Sequence, residues 1–354
     1  MNQLTAGGFF MEKLEAKLQA LFDKNHIAGM SVALTDRNKI VKCFNFGVET
    51  VEFPTHKTTE HSIYRIASIT KVITGLTILC LVDRNILELD QLIKDYVPWL
   101  SFTNGAETQM TLRHLLSHTS GLPVEYTPNG PREEAALEQS LMDGFRDLEL
   151  RALPEEKHYC YSNWGIRLAS LVAEKQTGKP FSALAREYIL DPLGMDKTTF
   201  DIRKAITYPI SLPHEEDASG ELKVFHYMKE NAARYAAGGL YSSAAELCKL
   251  ARFLLAEGVN ANGERIVSKA SMQEMFTPHA LAANKVGMHY GLTLFMRNYD
   301  NHFTLGHTGS APPYATSLFV EPESGYGVVT LMNTQRNHLR YEVPDLVFEE
   351  LAKR

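Results

Sequence analysis

The sequence predicts an α+β fold: one antiparallel sheet built from both ends of the chain, helices on its faces, and a mostly helical stretch in between. Runs rich in β-branched and aromatic residues, bounded by turn residues, lie at 27–46 and again at 290–332. From Ser68 to about Thr277 the chain reads instead as helices and loops. No internal repeat or low-complexity linker divides it, and 354 residues can bury a large core.

The elements follow in order. Phe10, Leu14, Leu18, Leu21 and Phe22 recur at helical spacing, which predicts an amphipathic N-terminal helix. Ile27 to Leu34 and Lys39 to Phe46 read as two strands about the turn Asp36-Arg-Asn-Lys39. Val72, Ile73, Leu76, Ile78, Leu79, Leu81 and Val82 make the segment after Ser68 apolar nearly all round, the signature of a buried helix. A short helix is expected after Thr111, and Ser243-Ala-Ala-Glu246 has the spacing of a capping box. Tyr290–Met296, Phe303–His307, Tyr314–Val320 and Gly327–Met332 read as strands. The polar run Arg297 to His302 and the segment Glu321-Pro-Glu-Ser-Gly325 serve as turns. A helix from about Tyr341 to Ala352 closes the chain. The expected organisation is a single catalytic domain over 1–354, with a sheet lobe at about 1–67 and 285–354 and a helical lobe at about 68–284. The site is expected in the groove between lobes, shaped by the loops at 126–134 and 206–225.

Composition narrows the function. A net charge of −6 without a long basic run argues against nucleic acid as a partner, because phosphate binding needs clustered Lys and Arg. The longest apolar stretch, Val72 to Val82, is short and interrupted by Thr74, Gly75 and Thr77, so no membrane span is expected. Residues 1–10 lack the charged-then-apolar pattern of a leader, which gives a cytoplasmic expectation. Cys43, Cys80, Cys160 and Cys248 form no Cys-x-x-Cys and read as free thiols, mostly small core residues. Cys160 with nearby His158 would make a second nucleophile, but no orienting acid accompanies them. His114 and His118 are four apart, yet Leu115 stands where His-Glu-x-x-His would have its Glu, and no third ligand is evident. We therefore expect no metal and no cofactor, and a structural role for both histidines.

The chemistry lies in three short motifs. Ser68-Ile-Thr-Lys71 is the only Ser-x-x-Lys in the chain and heads the apolar helix. A serine hydroxyl needs a neighbour to take its proton, and residues three apart share a helix face. A partly desolvated lysine there can act as the base, and free N–H groups at the helix start favour an oxyanion. Tyr161-Ser-Asn163 adds a phenol and an amide that point the same way in an extended segment. The expectation is a Tyr161 pKa lowered by Lys71 and an Asn163 that holds lysine and substrate in register. Tyr299-Asp-Asn301 repeats the pattern but falls in the polar hairpin turn and is discounted. His307-Thr308-Gly309 lies in a strand-like run. Gly309 would let a substrate approach the backbone closely, and the Ser310 N–H would be a second oxyanion donor opposite that of Ser68. His307 would donate a hydrogen bond to substrate or to the Tyr161 and Lys71 network.

With these three motifs in this order, the chain resembles the penicillin-recognising serine hydrolase superfamily, which includes class C β-lactamases, low-molecular-weight penicillin-binding proteins, D-aminopeptidases and related esterases. Thr111-Leu-Arg-His-Leu-Leu-Ser-His-Thr-Ser-Gly-Leu-Pro123, Asp191-Pro-Leu-Gly-Met-Asp196 and Ala237-Gly-Gly-Leu-Tyr-Ser242 look like further family segments, so the resemblance spans roughly the whole chain. It implies a β-lactamase-like fold, Ser68 as nucleophile, Lys71 as its partner and Tyr161 as general base or acid. Asn163, His307, Thr308, Gly309 and the Ser310 backbone would bind substrate. No Leu-Asn dipeptide occurs, so the Glu-x-x-Leu-Asn segment of the class A type is absent and the tyrosine-based branch fits better. The α/β-hydrolase elbow Gly-x-Ser-x-Gly is also absent.

His307 stands where many members carry lysine. Histidine, with an unperturbed pKa of about 6.5, offers little fixed charge to a substrate carboxylate at neutral pH. The expectation is a serine acyl hydrolase of esters, amides, D-amino-acid peptides or β-lactams, with weak β-lactam turnover. Two other readings stay open: a non-catalytic peptide- or muropeptide-binding, penicillin-sensing member of the fold, and an acyltransferase with a non-water acceptor.

Overall fold

The computed structural model describes residues 6–124, 133, 136–150, 152–226, 230–283 and 287–353. Residues 126–132 and 134, half of the loop pair expected to shape the pocket, lie outside the described residues.

Eight strands form one sheet. Across it run Ile40–Gly47, Gly29–Thr35, Tyr326–Met332, Tyr314–Glu321, His302–Ala311, Phe295–Tyr299, Met288–Tyr290 and Ala280–Ala283, every neighbour antiparallel. The first two strands thus come from the N-terminal end and the rest from the C-terminal end, joined where Met30 pairs with Met332 and Thr35 with Gly327.

The period of two in each strand sorts side chains onto two layers. Val32 and Leu34 face the helices Ala6–Lys24 and Leu339–Ala352, against Leu14, Leu18, Leu339, Val343 and Phe348. Ala33, Val329 and Leu331 face the opposite way, into the larger core formed with the helices Thr70–Asp83, Asn163–Thr177 and Ala244–Leu255. Gly29–Thr35 is buried along its whole length because both faces are covered.

Several expected turns have a clear cause. Asp36 Oδ1 accepts from the N–H groups of Asn38 and Lys39 at 2.7 and 2.8 Å, an Asx turn between the first two strands. Asp300 and Asn301 both have positive φ, +41° and +68°, as a two-residue hairpin with the sheet's twist requires. The discounted Tyr299-Asp-Asn301 copy is this hairpin.

Three details differ from expectation. Tyr290–Met296 is not one strand: it breaks over Gly291–Leu294, where Thr293 has φ +61° and its N–H donates to Leu116 O, a contact a straight strand would not reach. Ala280–Ala283 adds an edge strand that its short, small-residue sequence conceals. Ser243 caps its helix by accepting from the Glu246 N–H at 3.3 Å, but the Glu246 carboxylate accepts instead from Lys197 N and Lys249 Nζ, so half of the capping box is replaced by one tertiary bond and one within the helix.

Candidate active site

Ser68 sits in a tight turn, Ala67–Ile69, that runs directly into the helix Thr70–Asp83. Ala67 takes the left-handed conformation, φ +50°, which is unfavourable for a residue with a Cβ. Tertiary bonds hold the turn there: the Ile66 N–H donates to Leu240 O at 2.9 Å, and Thr316 Oγ1 donates to Ile66 O at 3.0 Å. Strain of this kind at a reactive residue persists only where the surroundings over-determine it.

Gly309 explains how close the sheet comes. A Cβ on Gly309 would lie 2.3 Å from Ile66 O and 2.2 Å from Thr316 Oγ1. The group that approaches Gly309 is therefore the chain's own turn before Ser68, rather than a substrate as expected from the motif.

Lys71 is fully buried one turn after Ser68. Its Nζ lies 3.0 Å from Ser68 Oγ, 2.8 Å from Asn163 Oδ1 and 2.6 Å from Ala237 O. Thr74 Oγ1 donates to Ala236 O at 2.7 Å, tying the same two segments one turn further on. Ala237, from a segment singled out only by resemblance, thus contributes a carbonyl that sequence reasoning did not assign.

Tyr161 comes from the loop before the helix Asn163–Thr177. Ser162 is extended, with φ −141° and ψ +121°, and caps that helix through Gly165 N–H at 3.1 Å. The extended residue is what lets Tyr161 and Asn163 face one groove. Tyr161 Oη donates to Ser68 Oγ at 2.8 Å, and Lys71 Nζ lies 5.0 Å from the centre of the Tyr161 ring. Burial pushes the Tyr161 phenol above its ordinary range, which outweighs the effect of its hydrogen bond with Ser68. The expected lowering by Lys71 is not what the geometry produces: Tyr161 is a neutral donor.

His307 is buried, and both ring nitrogens are engaged inside the protein. Nδ1 lies 2.5 Å from Thr308 O, a carbonyl that can only accept, so Nδ1 carries the proton. Nε2 then accepts from Tyr290 Oη at 3.1 Å. Burial first, and the Lys71 charge second, push its pKa down to about 3. The ring has no nitrogen left for a substrate, in contrast to the expectation, and is uncharged at neutral pH.

Thr308 is buried beside it and Ser310 is exposed, with Ser310 Oγ accepting from Gln335 Nε2 at 3.2 Å. The register between His302–Ala311 and Phe295–Tyr299 ends at Gly306. Beyond it, residues 307–311 keep the pairing with Tyr314–Glu321 and face the turn that carries Ser68 on their other side.

Arg340, on the C-terminal helix, is a residue that the sequence reading missed. Its charge acts on both Tyr161 and His307, and burial lowers its own pKa. Its Nε donates to Asn337 O at 3.0 Å. No motif marks it, because it reaches the groove only through packing of the last helix on the sheet.

The remaining candidates separate. His114 Nδ1 lies 3.0 Å from Thr111 Oγ1 at the start of the helix Leu112–Leu116, while His118 lies beyond that helix with φ +59°, so the two do not share a face. Among the described residues no group of His, Cys, Asp and Glu could hold a metal ion. His158 is exposed and directed to Glu156, 3.9 Å away, which argues against a Cys160–His158 pair. Among the described residues no disulfide joins the four cysteines. Among the described residues no helix is long and apolar enough to cross a membrane.

An antiparallel sheet with a helical layer, and a serine held between an amine and a phenol where the two meet, define the β-lactamase-like serine hydrolase fold. The chain belongs to the Beta-lactamase family, whose model matches residues 12–352. It is 25% identical over 284 residues to Penicillin-binding protein 4 of Amycolatopsis lactamdurans, covering 78% of this chain and 73% of that protein. It is 24% identical to Protein flp of Staphylococcus aureus (strain MW2), over 95% of this chain but only 65% of the length of that relative. Among solved structures, the octameric penicillin-binding protein homologue from Pyrococcus abyssi superposes with a TM-score of 0.82 at 25% identity, covering 97% of this chain and 78% of that one. The D-amino acid amidase from Ochrobactrum anthropi SV3, complexed with L-phenylalanine, superposes with a TM-score of 0.80 at 22% identity, covering 97% and 98%.

Proposed function

We propose that this chain is a serine acyl hydrolase that works through an acyl-enzyme on Ser68. The observation that carries the reading is the position of Ser68 Oγ, 3.0 Å from Lys71 Nζ and 2.8 Å from Tyr161 Oη. In the reactive state Lys71 is the neutral amine. Its two N–H groups donate to Asn163 Oδ1 and Ala237 O, and its lone pair faces the Ser68 hydroxyl proton. Oγ attacks the acyl carbon, Lys71 takes the proton, and the carbonyl electrons move to oxygen, met by the N–H groups of Ser68 and Ser310. When the tetrahedral intermediate collapses, the bond to the leaving group breaks and Tyr161 supplies the proton that group needs, regaining one from Lys71. Water then repeats the sequence on the acyl-enzyme.

The proposed substrates are esters and amides, with weak β-lactam turnover. Position 307 supplies no charge for the carboxylate that penicillins and D-Ala-D-Ala peptides carry. The Arg340 guanidinium is a positive charge that acts on both Tyr161 and His307. The likeness to a D-amino acid amidase is the reason to include a D-amino-acid amide among the substrates tested.

The test compares nitrocefin, p-nitrophenyl butyrate and D-alanine p-nitroanilide on wild type and Ser68→Ala in parallel, with intact-mass measurement after a fluorophosphonate. The expected result is a single adduct on Ser68 and turnover of ester or amide that the alanine variant loses. Full turnover by Ser68→Ala refutes the serine mechanism, and a nitrocefin rate far above the other two refutes the substrate preference.

A further inference from the structure

His118 is buried beside the site without being part of the three motifs. It has the left-handed φ of +59°, an unusual conformation for a residue with a Cβ. Its carbonyl accepts from the Cys160 N–H at 2.7 Å, and its Nδ1 accepts from the Ser162 N–H at 3.2 Å. One residue therefore grips the backbone on both sides of Tyr161. Its ring also packs on the Tyr161 ring, with centroids 4.5 Å apart, and on Tyr290 at 4.8 Å. Because Nδ1 is an acceptor, the neutral ring carries its proton on Nε2, a buried atom that has no hydrogen-bond partner among the described residues. Burial and the nearby Lys71 charge both oppose a second proton.

A buried N–H without a partner is unfavourable, and a left-handed residue adds to that. The arrangement persists because Nδ1 must face Ser162. The ring is then a fixed, uncharged wall behind Tyr161, next to a lysine and a serine that exchange a proton.

We propose that His118 is a positioning residue for Tyr161: by accepting from the Ser162 N–H while its ring packs on the phenol, it holds Tyr161 Oη on Ser68 Oγ. This rests on the reading of Ser68 as nucleophile and Tyr161 as the acid toward the leaving group. His118 touches neither substrate nor the reacting atoms. Its effect therefore depends on how much the leaving group needs a proton.

The test uses two esters of one acid. Ethoxide leaves only if protonated, whereas p-nitrophenolate leaves without help. kcat/KM, which reports acylation, is measured on ethyl butyrate and p-nitrophenyl butyrate, and rates are expressed per Ser68 titrated with a fluorophosphonate. Two variants lack the acceptor: His118→Leu keeps bulk, and His118→Gly fits the left-handed backbone without strain. His118→Asn keeps an acceptor and tolerates this φ. The leucine and glycine variants are expected to lose at least about tenfold more on the ethyl ester than on the p-nitrophenyl ester, a part of the range that general acid catalysis supplies. The asparagine variant should stay within about threefold of wild type on both, its backbone grip intact. A variant that merely misfolds loses titratable Ser68 and not selectivity between esters, and either acceptor-free variant suffices if the other does not fold. Equal losses on the two esters, no loss, or an asparagine variant that falls like the leucine one would overturn the assignment. Undiminished turnover by Ser68→Ala would instead end the serine reading beneath it.

Discussion

The Tyr161 hydroxyl donates to Ser68 Oγ at 2.8 Å, across 93 positions of sequence, from a phenol that burial keeps protonated. In the proposed mechanism Tyr161 is therefore the acid and Lys71 the base. Tyr161→Phe removes that proton while keeping the ring. We expect kcat/KM on ethyl butyrate to fall by about 10²-fold or more, the scale of a lost general acid, and by less on p-nitrophenyl butyrate. Because the folded pKa is raised, wild-type kcat/KM should show no decline from Tyr161 until pH passes its ordinary value of about 10. A basic limb near pH 8 that vanishes in the phenylalanine variant would contradict this.

Gly309 has the clearest steric prediction. A Cβ there would meet Ile66 O at 2.3 Å and push the strand away from the turn that carries Ser68. Gly309→Ala should lower stability by about 1–3 kcal/mol, the usual cost of overpacking. Activity per folded molecule should fall at least about tenfold, since small displacements of reacting groups are expensive. Urea unfolding with a parallel ester assay checks both.

His307 links stability to acid. Its folded pKa of about 3 lies below the unfolded value of about 6.5, so the folded state binds fewer protons between them. The stabilisation is fully present above about pH 6.5 and is lost as pH falls toward 3. His214, lowered to about 4 by burial, acts in the same direction. The melting temperature of wild type should therefore drop from pH 7 to pH 4. In His307→Asn the drop should be smaller, and calorimetry across that range decides. By the same neutrality, KM for an uncharged ester should not change between pH 7 and 5 through His307.

Arg340 carries a positive charge that acts on both Tyr161 and His307. Arg340→Ala should raise KM for a carboxylate-bearing substrate such as nitrocefin by about tenfold, on the scale of one charge-assisted hydrogen bond. It should leave KM for p-nitrophenyl butyrate within about twofold, since that ester carries no charge for the guanidinium to meet. Steady-state kinetics on the two substrates separates this from a general loss, which would affect both.

Much of the architecture was legible because it depends on local periodicity. The apolar, β-branched and aromatic runs at Gly29–Thr35 and Tyr326–Met332 and the apolar run after Ser68 report strands and a buried helix directly. The broken segment at Gly291–Leu294 and the edge strand Ala280–Ala283 were not legible, since tertiary hydrogen bonds rather than hydrophobic pattern decide them. Ser68, Lys71, Tyr161 and Asn163 could be named from spacing because each carries a reactive group. Ala237 and Arg340 could not, as a backbone carbonyl and a lone arginine have no signature.

By itself, then, the sequence determined which side chains are available and the order of elements that carry them. Only the tertiary structure decided their protonation and direction. Tyr161 stays a phenol and His307 turns both nitrogens inward, because burial and partners from distant segments act on them, and no pattern along the chain records those neighbours.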